Sequence, residues 1–387
     1  MSLFIPSDGI LDTHVSWELL ETELAKSLST HSILCSNRRI SLIGEGFGML
    51  SRVGMIDCQW NEMETNLPQK VVVKIGLAVS VAANAGAPMW DFFELLVRRA
   101  HNVECAVYEF VQPFADQLLI PKFFYSIPFN QSNNLNGHLV MELIDNAETS
   151  HIHFNFNIKQ AKQIARALGK FQALTFNHGD DKKLEDKLLD KSLTTKMWEG
   201  LTEQKMEDFI RGLAPPSDKL DHMISRILSI FPQYRFTNLC RSLHYKLGLK
   251  PVLVNGDLWS ANVLVDKSNG QVRATVDWQA AHLGCCSEDL QRLILSGMNT
   301  TDRRLYLQEL IDEQYEGLNK IFRIFLPHGA FLLLPVIAQY LKIIQNSSSL
   351  SVQDVTSIQD KVIGILEDIL VYHEENELQR DISSWLE

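Results

Sequence analysis

The sequence predicts a two-lobed α+β protein, with strands concentrated before about residue 144 and helices dominating from residue 158 onward. Three observations lead to this expectation. The chain has 387 residues, which exceeds one average domain. Short β-rich runs separated by turns fill residues 38–143. Later segments instead carry apolar residues at helical spacing. We therefore expect a smaller lobe over residues 1–144 and a larger one over residues 145–387.

The first lobe begins with three strand-like runs. Residues 39–43 lead into a glycine-rich turn, residues 51–58 form the second run, and residues 70–75 (Lys-Val-Val-Val-Lys-Ile) form the third. Residues 88–110 then have a helical pattern, and residues 137–143 return to a strand pattern. This order predicts a sheet accompanied by a helix.

The second lobe is predicted to be mainly helical. Apolar stripes occur in residues 158–171, Leu305–Phe322 and Val362–Leu370, interrupted by short strands around residues 252–254, 263–265 and 272–276. The most apolar stretch, Phe331–Leu341, is shorter than the ~20 residues needed to cross a bilayer. We expect it to form a buried helix.

Composition favours a soluble globular protein that acts on small molecules. The chain is 45% hydrophobic and 21% charged, and its net charge of -11 argues against broad binding to nucleic acid or anionic membranes. The first residues lack the pattern of a secretory signal, so we expect a cytoplasmic protein without membrane insertion. The six cysteines show no C-x-x-C spacing and are expected to be reduced, with Cys285 and Cys286 in a packed turn.

Three loops are conspicuous. His151 and His153 stand at alternate positions, but no third ligand is evident nearby, which favours loop histidines over a metal site. Residues 78–88 are rich in small residues and could cover a ligand. Residues 179–191 are dense in charge, as in a solvated helix face or linker.

The glycine-rich turn is a candidate phosphate-binding element. Gly44, Gly46 and Gly48 flank Glu45 and Phe47, and without Cβ atoms they let backbone N–H groups approach phosphate oxygens. No Gly-Lys-Ser/Thr closes the turn, so it is not a Walker A loop. By itself the pattern is also compatible with an ordinary hairpin.

Lys74 is a candidate cation for nucleotide phosphates. It lies near the end of an apolar strand, where a lysine can also simply reach solvent. The functional interpretation requires a carboxylate to hold its ammonium. Glu104 on the following helix is the preferred partner, and Glu109 is the alternative.

The most informative pattern is a loop of carboxylate and amide residues between short strands. Asp257 follows the strand 252–254, and Gly256 allows the sharp turn that would aim it at a substrate hydroxyl as a general base. Asn262 follows five residues later, and Asp277 ends the next strand pair. Their oxygens suit Mg²⁺ and metal-bound nucleotide chemistry. The alternative is that each aspartate caps a turn.

These residues together resemble the protein-kinase-like superfamily, in its branch of aminoglycoside phosphotransferases and choline kinases. Those families carry H-G-D-x-x-x-x-N followed by a strand ending in I-D-W/F. Here the corresponding residues are Asn255 to Asn262 and Val276-Asp277-Trp278. Gly-Asp-Leu-Trp-Ser-x-Asn, with the tract from Glu104 to Tyr108, is similar to the ecdysteroid-kinase-like, or CHK-kinase-like, proteins. The resemblance covers about residues 38–375.

The resemblance implies a bilobal kinase-like fold with a small antiparallel-sheet N-lobe that binds the nucleotide, a larger helical C-lobe, and ATP between them. It implies Lys74 on the phosphates with Glu104 as partner, Asp257 as base, and Asn262 and Asp277 on Mg²⁺. Three further residues resemble the hinge whose backbone meets adenine: Met141, Glu142 and Leu143. Asp289 resembles an aspartate that supports the catalytic loop.

One residue departs from the family pattern. Asn255 stands where a histidine usually precedes Gly-Asp. That histidine mainly braces the loop through hydrogen bonds, which an asparagine amide can partly reproduce. We therefore expect a change of loop geometry and retention of the chemistry.

The predicted activity is transfer of the γ-phosphoryl group of ATP to a hydroxyl of a small molecule, such as a steroid-like or other lipophilic alcohol. Residues 278–288 leave no room for a long activation segment, and no A-P-E motif follows, which argues against a protein acceptor. Trp259 and Trp278 could line an acceptor pocket or belong to the core. A cationic alcohol, transfer of AMP, and a nucleotide-binding pseudokinase are the alternatives.

Overall fold

The computed structural model describes residues 2–44, 50–62, 66–78, 90–178, 182–189, 200–235, 239–246, 248–314, 319–347 and 350–378. The chain divides into two compact units. Unit 1 comprises Met1–Asp145 with Trp278–Ala280, and unit 2 comprises Asn146–Asp277 with Ala281–Glu387. Unit 1 contains an antiparallel sheet and unit 2 is mainly helical, so the predicted α+β class is confirmed.

Unit 1 is built on a five-stranded antiparallel sheet of order β1-β2-β3-β5-β4. Its strands are β1 (Arg39–Ile43), β2 (Ser51–Asp57), β3 (Lys70–Gly76), β4 (Phe123–Ile127) and β5 (His138–Glu142), and its helices are α1 (Trp17–Ser27) and α2 (Trp90–Val111). The strand and helix predictions agree to within one or two residues where the chain is described. The sequence analysis missed β4, a five-residue aromatic run between two prolines.

Alternation along β3 decides which residues enter the core of unit 1. Val71, Val73 and Ile75 are fully buried on one face of the sheet, in a cluster that includes Leu20 and Leu24 of α1. Successive side chains of a strand point to opposite faces. Lys74 therefore points away from the face that α1 covers.

Unit 2 combines a helical core with two small sheets. Its helices are α3 (Ile158–His178), α4 (Lys182–Glu185), α5 (Glu203–Leu213), α6 (Asp218–Arg235), α7 (Leu239–Lys246), α8 (Glu288–Gly297), α9 (Thr300–Gln314), α10 (Asn319–Ser347) and α11 (Val352–Leu378). Its strands are β6 (Ala147–Thr149), β7 (Val252–Val254), β8 (Val263–Asp266), β9 (Val272–Thr275) and β10 (His282–Gly284). β7 pairs with β10, and β8 lies between β6 and β9. The strands β6 and β10 were not predicted.

The predicted helical stripe Leu305–Phe322 lies in helices wherever it is described. Its first part belongs to α9, which is described to Gln314, and its last part belongs to α10, which is described from Asn319; residues 315–318 lie outside the described chain. The predicted buried helix Phe331–Leu341 is confirmed within α10.

Helix α8 is the centre of unit 2, since all ten of its residues are buried. Ion pairs and hydrogen bonds of buried polar groups tie the surrounding helices together. Arg303 of α9 donates from Nε to Asp368 of α11 at 3.0 Å. Lys361 donates from Nζ to the carbonyls of Ile152, Phe154 and Ser296 at 2.6–2.9 Å. Across the described helices, none has the length and apolar character needed to span a membrane.

Candidate active site

Unit 1 brings Lys74 and Glu104 together. Lys74 Nζ lies 2.6 Å from Glu104 Oε2, and the two side chains are only 8% and 1% exposed. The buried residues of α2 recur at helical spacing, and Glu104 lies within this buried stripe between Ala100 and Tyr108. A charge at such a position is tolerated only when it is paired. Glu109, the alternative partner, is exposed and accepts a hydrogen bond from Ser126 Oγ instead.

Glu104 also contacts the segment that follows Asp277 in sequence. Its Oε1 accepts a hydrogen bond from the backbone N–H of Trp278 at 3.3 Å. Trp278 packs as part of unit 1 and is 1% exposed. The two oxygens of Glu104 therefore serve two different partners, one on β3 and one directly after Asp277.

The predicted phosphate and adenine elements are described only in part. Gly44 follows β1 with a φ of +66°, and a Cβ there would meet nothing within 4 Å. Gly46, Phe47 and Gly48 lie outside the described residues. Of the hinge residues, Met141 is buried beneath the Tyr108 hydroxyl.

Glu142 and Leu143 complete the predicted hinge. The N–H of Glu142, the last residue of β5, donates to the Lys122 carbonyl at 2.8 Å. Leu143 follows directly and is partly exposed. Because the Glu142 N–H already has an acceptor in the protein, a nucleotide base would have to use other backbone groups of this segment.

In unit 2 the Asp257 loop begins where β7 ends. Gly256 has a φ of +76°, a conformation that favours glycine, and it turns the chain away from the strand direction. The carboxylate of Asp289 on α8 accepts the N–H groups of Asn255 at 2.8 Å and Gly256 at 3.0 Å. The start of α8 thus fixes the start of the loop.

Asn255 uses both arms of its amide inside the loop. Its Oδ1 accepts the N–H of Asp257 at 3.0 Å, and its Nδ2 donates to the Asp277 carbonyl at 3.1 Å. A longer contact of 3.4 Å reaches the Val276 carbonyl. Asn255 therefore connects Asp257 to Asp277, which lies twenty residues further along the chain.

Asn262 and Asp277 fit the oxygen ligands of a hard cation. Asn262 donates from Nδ2 to the Asp257 carbonyl at 2.9 Å, so Oδ1 is the atom of this side chain that can ligate a metal. Asp277 has a φ of +64°, which aspartate adopts more readily than most residues. No cluster of three or more His, Cys, Asp or Glu within the described ranges could hold a metal ion. Two protein oxygens suit Mg²⁺, which keeps waters and takes further oxygens from phosphates.

The burial of Asp289 changes its acid strength. Removal from water raises its pKa to about 7, and the charge of neighbouring Glu288 acts in the same direction. The two backbone N–H groups oppose this shift because they stabilise the carboxylate. The group that braces the loop is therefore sensitive to pH near neutrality.

The sequence analysis missed a residue that contacts the candidate base. Arg292 of α8 forms an ion pair from Nη2 to Asp257 Oδ1, and its side chain is 9% exposed. The signal in the sequence was the spacing of Asp289, Arg292 and Ser296 in a stretch that also contains Leu290, Leu293, Ile294 and Leu295. Spacings of three and four residues place all three on one side of a helix.

The aromatic and histidine candidates are largely buried. Trp259 is 9% exposed and packs edge-on against Tyr340 of α10 at 5.4 Å between ring centroids. The Tyr340 hydroxyl lies 2.7 Å from His151 Nδ1, and the rings of His151 and His153 stack. Burial of Trp259 and Trp278 favours the core interpretation over a pocket lining.

Three solved structures share similarity with most of the chain at low identity. The choline kinase from Cryptosporidium parvum Iowa II is 12% identical, with 91% of this chain and 94% of that chain covered and a TM-score of 0.47. The GDP complex of aminoglycoside 2'-phosphotransferase-IIIa is 12% identical, with 92% and 99% covered and a TM-score of 0.49. The microcompartment-associated aminopropanol kinase is 12% identical, with 92% and 98% covered and a TM-score of 0.49. Similarity at this level assigns neither an activity nor a ligand.

Sequence comparison gives one short match and one match along nearly the whole chain. The "Uncharacterized kinase-like protein D1044.1" of Caenorhabditis elegans is 30% identical over 77 residues, so the match covers 20% of each protein. The model of the DUF1679 family, described as "Uncharacterized oxidoreductase dhs-27", matches residues 3–377. The chain therefore belongs to the DUF1679 family.

Proposed function

We propose that this protein is an ATP-dependent phosphotransferase that phosphorylates a hydroxyl of a small molecule. The observation that carries the proposal is the hydrogen-bonded group of Asn255, Asp257, Asn262 and Asp277, in which two amides hold two carboxylate residues in fixed positions. A base and two metal-binding oxygens are what phosphoryl transfer to an alcohol requires from a protein. The kinase-like name of the short C. elegans match and the Lys74–Glu104 pair support the same chemistry.

The proposed reaction is an in-line displacement. The acceptor oxygen forms a bond to the γ-phosphorus of ATP, the bond from that phosphorus to the bridging oxygen breaks, and ADP leaves. Asp257 orients the acceptor hydroxyl and takes its proton. Lys74 binds phosphate oxygens while Glu104 holds its ammonium. Asn262 and Asp277 would hold Mg²⁺, which neutralises phosphate charge when bound.

The described residues of the candidate site favour phosphoryl transfer over oxidoreductase chemistry. The word oxidoreductase appears in the description of the family, but Asp257, Asn262 and Asp277 supply a base and hard oxygen ligands. These groups suit phosphoryl transfer and carry no redox function themselves.

For the acceptor we favour an uncharged alcohol over a cationic one. Arg292 neutralises Asp257, so the base and its partner have no net negative charge with which to attract an ammonium group. An ammonium two carbons from the reacting hydroxyl would also lie close to the guanidinium. A steroid-like or other lipophilic alcohol does not meet this repulsion.

The test is an ATP-consumption screen with the full chain and Mg-ATP over sterols, neutral glycosides and amino alcohols. Choline and its uncharged carbon analogue dimethylbutanol form a matched pair that isolates the effect of charge. We expect turnover with neutral alcohols, a product mass that corresponds to phosphate and not AMP, and loss of turnover in Asp257→Asn with Mg-ATP binding retained. Binding without turnover across the panel would instead favour the pseudokinase alternative, and turnover by Asp257→Asn would refute the assignment of the base.

A further inference from the structure

The side chains of one face of α8 contact the Asp257 loop at three successive points. Asp289 accepts from the N–H groups of Asn255 and Gly256, Arg292 pairs with Asp257, and Ser296 Oγ accepts the N–H of Ser260 at 2.9 Å. Positions 289, 292 and 296 are separated by three and four residues, so they follow one another along one helix face. The middle contact is the one that involves the candidate base.

Ser296 is itself held from two sides. Its hydroxyl donates to carbonyls one turn earlier in α8, at Arg292 and Leu293. Its carbonyl accepts from the buried ammonium of Lys361 at 2.9 Å. The part of α8 that carries Arg292 is therefore fixed both within the helix and from α11, which gives the guanidinium a defined position beside Asp257.

The contact of Arg292 differs from that of a structural arginine in the same unit. Arg303 binds Asp368 through Nε and Nη2 together. Arg292 reaches Asp257 through Nη2, while its buried Nε has no hydrogen-bond partner within the described residues. Arg292 thus supplies a full positive charge and one directional bond to Asp257 without enclosing the carboxylate in a fork.

We infer that Arg292 is a positioning residue for the catalytic base: it fixes the orientation of the Asp257 carboxylate. This inference rests on the proposed phosphotransferase function. The charge-assisted hydrogen bond from the guanidinium to Asp257 Oδ1 is directional. It aims the carboxylate at the acceptor hydroxyl.

The test compares Arg292→Met and Arg292→Lys with the wild-type protein. For Arg292→Met we expect kcat to fall about 100-fold, as for a misaligned catalytic group, with KM for ATP unchanged. Arg292→Lys keeps the charge but not the planar geometry of the guanidinium, so it should recover only part of kcat, again with KM for ATP unchanged.

Arg303→Lys is the matched control, because it disturbs another buried ion pair of unit 2 without touching Asp257. We expect it to lower stability while leaving kcat unchanged. A kcat that does not fall in Arg292→Met, or that falls equally in Arg303→Lys, overturns the inference and leaves the proposed function standing.

A second measurement does not depend on turnover. Unfolding of the wild-type protein, Arg292→Met, Asp257→Asn and the double variant gives the coupling between the two residues, and we expect the single effects to be non-additive. Additive effects refute the contact itself. If the two residues are coupled but the wild-type protein phosphorylates no alcohol, the proposed function is overturned. The role of Arg292 in positioning a catalytic base then falls with it, but the contact between Arg292 and Asp257 stands.

Discussion

Lys74 and Glu104 form a buried ion pair whose nitrogen and oxygen are 2.6 Å apart, on a strand and a helix separated by thirty residues of sequence. Both side chains are nearly excluded from solvent. Burial of such a pair carries a large desolvation penalty, and removal of one partner leaves the other charge without compensation. A buried ion pair at this position indicates that the protein requires an ammonium in a fixed place. The proposed function explains this requirement, because Lys74 would bind nucleotide phosphates.

Replacement of Lys74 by methionine should destabilise the protein by roughly 3 to 5 kcal/mol, because the buried carboxylate of Glu104 loses the ammonium at 2.6 Å that balances its charge. The double variant Lys74→Met with Glu104→Gln should recover part of this loss, since no buried charge remains. Chemical denaturation of the wild-type protein, Lys74→Met, the double variant and a control variant measures the effect. Lys162→Met, which disturbs the solvent-exposed pair with Glu309, serves as the control and should change stability little. Equal stability of Lys74→Met and Lys162→Met would contradict the prediction.

Replacement of Asn255 by leucine should cost about 1 to 3 kcal/mol and lower turnover. The change removes the acceptor of the Asp257 N–H and the donor to the Asp277 carbonyl while preserving the size of the side chain. Urea denaturation and steady-state kinetics report the two effects separately. Asn269→Leu removes a hydrogen bond in an exposed turn and is expected to change neither measurably. A wild-type rate of turnover in Asn255→Leu would show that the hydrogen bonds from Asn255 to Asp257 and Asp277 are dispensable.

The raised pKa of Asp289 predicts a pH dependence of stability. Its pKa is about 7 in the folded protein against 3.8 ordinarily, so the folded state binds more protons between these values. The contribution of Asp289 is complete below about pH 4 and is lost as the pH rises through 7. At about 1.36 kcal/mol per unit of pKa shift, the loss amounts to roughly 4 kcal/mol.

Comparison with Asp289→Asn isolates this contribution, because the amide does not titrate. Denaturation at several pH values should show the stability advantage of the wild-type protein shrinking from acid to neutral pH. The amide also offers one acceptor oxygen where Asn255 and Gly256 require two, so the variant should have lower turnover at every pH. If the difference in stability between the wild-type protein and Asp289→Asn stays constant from acid to neutral pH, the raised pKa of Asp289 is refuted.

Two substitutions at Asp277 should separate backbone strain from metal binding. Asp277→Asn tolerates the φ of +64° and should fold with nearly wild-type stability, but the loss of a charged oxygen ligand should abolish Mg²⁺-dependent turnover. Asp277→Ala should lose turnover and about 1 kcal/mol of stability in addition, because alanine adopts this conformation less readily. Thermal unfolding and the Mg²⁺ dependence of ATP binding provide the measurements. Turnover retained in Asp277→Ala, which has no side-chain oxygen, would exclude the residue as a metal ligand.

Much of the fold was predictable because its signals are local. Alternation in β3 marks the buried face that Val71, Val73 and Ile75 share, and the apolar stripe of α2 marks its packing side. The strands β4, β6 and β10 were missed. Two of them have only three residues, and such short strands exist through pairing with distant partners and not through their own pattern.

The sequence by itself determined the residue types of the candidate site and their order, from Lys74 to the loop of Asp257, Asn262 and Asp277. These follow from motif spacing and strand boundaries, which depend on neighbouring residues. Only the tertiary structure decided that Glu104 and not Glu109 meets Lys74, that Asn255 bridges Asp257 to Asp277, and that Arg292 pairs with Asp257. These contacts join residues from different elements, so they form only when packing has placed one helix or strand against another.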